Sequence, residues 1–133
     1  MTDDVYAPRA PQRPRPIVQA IALLWISSAL GFAASRSELT TSADLALSVL
    51  VMLAITVSLT IALWKGRNWA RIVYLILVAL SLANFVSLWG LVERPPSEMA
   101  LEAVSFVADA GSFFLMFTEP GASWFRAPDE QRV

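Results

Sequence analysis

Residues 45–64 read LALSVLVMLAITVSLTIALW, twenty positions without a charge. At 1.5 Å of rise per residue, a helix of that length spans about 30 Å, the thickness of the hydrocarbon core of a bilayer. A stretch that is apolar on every side offers water no face, so it reads as a membrane span rather than a surface helix. Thr41 and Asp44 precede it at the spacing of a capping box, and Gly66 follows it where a left-handed C-terminal cap favours a residue without a β-carbon.

Three further stretches carry the same signature. Positions 17–34 are apolar apart from Gln19, Ser27 and Ser28, positions 69–92 follow Asn68 as a cap, and positions 99–117 follow Pro95, Pro96, Ser97 and Glu98. Ser97 and Glu98 offer a cap and a favourable charge to the fourth helix, and Pro120 with Gly121 ends it. The first stretch also fits a cleaved leader, but its length and the three spans after it favour a retained helix. The expected architecture is an all-α integral membrane protein, an antiparallel bundle of four transmembrane helices joined by short connections. A Pro/Arg-rich tail over 1–16 and an interfacial tail over 119–133 flank the transmembrane domain, 17–118. With 56% hydrophobic and 16% charged residues the chain lies outside the soluble class. It has no Cys and no His, which excludes disulfides, Cys/His metal sites and His-based triads.

Orientation follows from the basic residues. Arg9, Arg13, Arg15, Lys65, Arg67, Arg71, Arg126 and Arg132 fall on one side of the expected membrane, and Arg36 and Arg94 on the other. Since Lys and Arg in short loops are retained inside, both termini are expected in the cytoplasm, with Arg13, Arg15, Lys65, Arg67 and Arg71 as the topology determinants. Trp64, Trp69 and Trp89 fall at span ends, and Trp124 with Phe125 follows the Pro120 stop; these are expected as interface anchors. Trp25, in mid-span, is expected in packing or lipid contact.

The turn Lys65-Gly66-Arg67-Asn68-Trp69-Ala70-Arg71 and the tail Pro120-Gly121-Ala122-Ser123-Trp124-Phe125, with four spans in this length, resemble a loose group of small, uncharacterised bacterial inner-membrane proteins. Those carry a Gly-basic-Asn-Trp-Ala-Arg turn and a terminal Trp-Phe. The resemblance implies a bacterial inner-membrane location and no particular activity.

Glu98, Glu102, Ser105, Asp109 and Ser112 are spaced 4, 3, 4 and 3, one stripe along a single face of the fourth helix. A bare carboxylate at the depth of Asp109 is costly, so it must face the bundle interior and find donors there. Counted from the outer ends of the expected spans, Ser81, Ser27 and Ser28 lie level with Asp109, and Asn84 lies nearer Ser105; these are its expected partners. The stripe over Glu102, Ser105, Asp109 and Ser112 is either glue between helices, a partner-binding face, or an ion path. Small residues at Ser27, Gly31, Ser35 and at Ala79, Ala83, Ser87 suggest packing seams within the bundle, with dimerisation sites as the alternative.

No nucleophile, phosphate loop or metal motif accompanies the acids, so no enzyme, cofactor, metal or nucleic-acid role is expected. The expectation is a non-enzymatic membrane protein that interacts with another membrane component, as a complex subunit or an immunity-type protein. Its partners would be the lipid bilayer and another membrane protein or a homo-oligomer. The alternative is a small proton- or cation-coupled transporter or channel using Asp109 and Glu102.

Overall fold

The computed structural model describes residues 14–35, 41–88, 90–91 and 93–126, and these are helical with short connections. Four helices are long and apolar enough to cross a membrane: α1 (Arg15–Ala34), α2 (Ser42–Trp64), α3 (Asn68–Leu88) and α4 (Pro96–Phe117). A fifth and short one, α5 (Gly121–Arg126), follows. The long helices form a ring in which α1 touches α2 and α4, and α3 touches α2 and α4. The α1–α4 pair makes the most extensive of these contacts. The residues expected for span two and its caps behave as local chemistry dictates. Thr41 Oγ1 accepts from the Asp44 amide at 3.1 Å and donates to the Asp44 carboxylate at 2.7 Å. Gly66 adopts φ 66°, which allows the Gly66 and Arg67 amides to reach back to the Leu63 and Ala62 carbonyls at 2.9 and 3.0 Å.

Several expected boundaries move. α1 begins at Arg15 and α4 at Pro96, because proline in the first turn of a helix loses an amide that would have been unpaired anyway. Ser97 and Glu98 therefore lie inside α4, and its cap position is Pro95. α3 stops at Leu88 rather than near 92, just ahead of Gly90 at φ 81°, a left-handed conformation that no right-handed helix can pass through. The expected tail after 118 is partly folded onto the bundle as α5.

The packing is concentrated at the end of the bundle that holds the α2–α3 turn, α5 and the start of α1, here called the base. Ile17, Ala20, Ile21 and Leu24 of α1 meet Leu59, Ala62 and Leu63 of α2, Ala70 and Tyr74 of α3, Met116 of α4, and Trp124 and Phe125 of α5. Trp124 is 7% exposed and donates its indole N–H to the Leu63 carbonyl at 3.2 Å, and Phe125 is 5% exposed. Both side chains, expected in the headgroup region, instead close the base from within. α5 fits there because Gly121 lies against the Leu115 carbonyl, where a β-carbon would collide with backbone. Arg71 bonds Asn68 Oδ1 at 2.6 Å and the Met116 carbonyl at 3.4 Å, and its guanidinium lies 4.8 Å from the Phe117 and Phe125 ring centres. Trp64 and Trp69 are exposed at the base, as are Arg15, Lys65 and Arg67; Arg13 and Trp89 lie outside the described residues.

Toward the opposite end, the mouth, α2 and α3 part from the α1–α4 pair. Among the described residues, α2 has no buried residue before Thr56 and α3 has none after Tyr74. Ala79, Ala83 and Ser87 are exposed, so that stripe is no seam inside the bundle, whereas Ser27 is buried against α4.

Trp124→Ala is expected to cost about 3–5 kcal/mol, by loss of a buried indole. Trp69→Ala, at a position 50% exposed, is expected to change stability by less than about 0.5 kcal/mol. Reversible unfolding in detergent compares the two; equal effects would contradict a base closed by α5.

Candidate functional site

The polar stripe of α4 does face inward, and its members do different work. Ser112, fully buried, donates to the Ala20 carbonyl at 3.0 Å. Ser105 donates to the Ser27 carbonyl at 3.2 Å and pairs with the Ser27 hydroxyl at 3.1 Å. The two serines are seven residues apart, as are Ala20 and Ser27, so they form two rungs between antiparallel helices of matching repeat. Such rungs require backbones in close approach, which the small residues on both faces permit. Gly31 sits on the same seam, its α-carbon facing Ser105. Ser105 and Ser112 are therefore interhelical glue.

Asp109 is 5% exposed, and its Oδ1 accepts from the Tyr74 hydroxyl at 2.5 Å. Tyr74 also packs against Phe113, with ring centres 4.7 Å apart. None of the expected partners fills this role. Ser27 is bonded to Ser105, Ser28 accepts from Thr56 at 3.2 Å and donates to the Leu24 carbonyl at 2.8 Å, and Ser81 and Asn84 are exposed on α3. The reason is the two moved boundaries. With α3 ending at Leu88 and α4 beginning at Pro96, Asp109 lies 13 residues (109 − 96) from its mouth end and Tyr74 lies 14 (88 − 74) from its own. Ends drawn at 92 and 99 shift the register by 7 residues, two helical turns, and bring Ser81 level in place of Tyr74. A carboxylate needs donors, and among the donors the helices offer is the hydroxyl of Tyr74, the sequence signal for this contact. It is the one tyrosine within the four long helices.

Glu102, one turn above Ser105, pairs with Arg94 of the α3–α4 connection at 3.1 Å, both side chains being partly buried. Arg94 is thus a second residue of the stripe's environment that the helix pattern alone did not assign.

Above Asp109 the helices enclose a cleft of about 530 Å³. Each helix contributes one face: Leu24, Ser27, Ser28, Gly31, Phe32 and Ser35 from α1; Ser48, Met52, Ile55, Thr56 and Leu59 from α2; Tyr74, Leu77, Val78, Ser81 and Asn84 from α3; Glu102, Ser105, Phe106 and Asp109 from α4. These faces run from the mouth to the level of Asp109 and Tyr74. Below that level lie the apolar side chains of the base, including Leu63 and Met116 at 0% exposure. The cleft is a blind one. Trp25, on the outer side of α1, donates to Thr60 Oγ1 at 3.0 Å and ties α1 to α2 outside the cleft wall. Among the described residues no group of His, Cys, Asp and Glu is placed to hold a metal.

Comparison of the chain with protein families, with curated proteins and with solved structures gives no match.

Tyr74→Phe is expected to destabilise the protein by about 1–2 kcal/mol through loss of the bond to a buried acid. In an Asp109→Leu background the same change is expected to cost less than about 0.5 kcal/mol, since the acceptor is gone. A double-mutant cycle in detergent measures this; additivity of the two changes would contradict a clasp between α3 and α4 at this level.

Proposed function

We propose that this is a non-enzymatic protein of the bacterial inner membrane, with both termini cytoplasmic, that acts by receiving another membrane component in the cleft. The eight-to-two division of basic residues supports this orientation, and it makes the mouth the outer end. The observation that carries the reading is the blind cleft itself. Its volume lies within the range of small-ligand sites, about 300–1,000 Å³, and its walls combine apolar side chains with serine, threonine, tyrosine and acidic groups. A conduit requires a second opening, and packed side chains occupy the position where one would be. The role suited to such a site is that of a complex subunit, or of an immunity-type protein that sequesters a membrane-active agent.

One observation favours a second reading, a small proton- or cation-coupled transporter: both Glu102 and Asp109 line the cleft. The engagement of Glu102 by Arg94 counts against a continuous chain of acids between them.

A photo-reactive side chain at position 81, on the cleft wall, is expected to give one defined adduct in native membranes, whereas the same group at position 80, on the outer surface of α3, gives only scattered lipid products. Identical products from both positions would contradict the binding reading. Proteoliposomes of the wild type are expected to pass protons and monovalent cations no faster than empty vesicles; a flux abolished by Asp109→Asn would replace the binding reading with transport.

A further inference from the structure

The floor of the cleft holds a carboxylate with one side already engaged. Oδ1 of Asp109 takes the Tyr74 hydroxyl, and no other described residue donates to this carboxylate. The two acids of the cleft differ in this respect: Glu102 has Arg94 beside it, while Asp109 has a neutral phenol. A carboxylate withdrawn from water and met by one neutral donor is most strongly satisfied by a cation that also donates hydrogen bonds.

The surroundings restrict which cation. Oδ2 of Asp109 is an acceptor at the floor that no described residue meets, and a primary ammonium brings N–H donors on one small centre. A quaternary ammonium would leave this acceptor unmatched, and a hydrated metal ion would meet too few oxygen ligands. Above the floor the lining combines the apolar side chains of Leu24, Leu59, Leu77 and Val78 with Ser27, Ser28, Thr56 and Ser105, whose hydroxyls are engaged with one another and with α1 carbonyls, and Ser81 and Asn84 follow toward the mouth. The cleft therefore favours a molecule whose charged end lies deep and whose carbon body follows it.

We infer that the floor of the cleft, at Asp109 and Tyr74, binds the protonated primary amine of an amphiphile, with Leu24, Leu59, Leu77 and Val78 surrounding its carbon body. This rests on the reading of the cleft as a binding site and names the chemistry it recognises. The amine is either carried by a lipid headgroup or belongs to a free amphiphile; both present the same ammonium to the floor.

The test uses the full chain in phosphatidylcholine nanodiscs and three probes of one shape: 4-phenylbutylamine, 4-phenylbutanol and 4-phenylbutanoate. Calorimetric titration is expected to show the amine binding at least tenfold more tightly than the alcohol or the carboxylate. Asp109→Asn is expected to weaken the amine at least tenfold, and Glu102→Gln less than threefold. Equal binding of amine and alcohol, or an Asp109→Asn variant with unchanged affinity, overturns the inference. Should Asp109→Asn fail to fold, the ranking of the three probes on the wild type decides alone. Replacing the disc lipid by phosphatidylethanolamine separates the sources: weaker apparent affinity for the probe identifies the lipid amine as the occupant, and unchanged affinity identifies a free amine. If none of the probes binds while the adduct at position 81 still forms, the amine chemistry fails and the binding reading stands; if that adduct is also absent, the reading itself has failed.

Discussion

The hydrogen bond from Tyr74 to Asp109 joins α3 to α4 at the level where the bundle changes character. Toward the base, α3 is held by Ala70 in the core and by Arg71, whose guanidinium rests on two aromatic rings and bonds the carbonyl end of α4. Toward the mouth, α3 makes an edge contact between Phe85 and Phe106 but buries no residue fully among those described. Helices this apolar are suited to hydrocarbon, where a polar side chain finds no water and must be met within the protein. Each polar residue of α4 obeys that rule differently. Ser105 and Ser112 spend their hydroxyls on α1, Glu102 is met by Arg94, and Asp109 depends on a single phenol from the helix across the cleft.

The bundle thus has two kinds of contact. α1 and α4 approach closely through small residues and hydroxyl-to-carbonyl bonds, a mode that works without a hydrophobic driving force between helices. α2 and α3 are attached to that pair through the base, where Leu63, Met116, Trp124 and Phe125 fill the space between helix ends. A cleft is the geometric result of holding α2 and α3 to the close-packed α1–α4 pair most firmly at one end. Its blind end and its acid floor are what the reading of the protein as a binder depends on.

Much of this was legible in the residues themselves. Twenty uncharged positions ending at Trp64, the Thr41 and Gly66 caps and the 4, 3, 4, 3 spacing of the α4 stripe each express a period or a dihedral preference that acts locally, and the folded chain follows them. The clasp at Asp109 was not legible, because it depends on the relative heights of two helices, and errors of three and four residues at their ends displaced the match by two turns. Prolines mislead here in a specific way: Pro96 starts α4 rather than preceding it, and Gly90 rather than Pro95 ends α3. The place of Trp124 and Phe125 after the Pro120 stop suits interface residues, and what turns them inward is a tertiary feature, the close seat that Gly121 finds against the Leu115 carbonyl.

The central claim is that water reaches Asp109 from the mouth and from no other direction, and thiol labelling addresses it directly because the chain has no cysteine of its own. Single cysteines at positions 81 and 78, on the cleft wall, at 80 and 83, exposed on α3 away from the cleft, and at 70, in the base, would be treated in sealed membranes with an impermeant thiol reagent. The account predicts reaction at 81 and 78 when the reagent is on the side opposite the termini, and none at 80, 83 or 70. Protection at both 81 and 78, or reaction at 78 from the side of the termini, would contradict it.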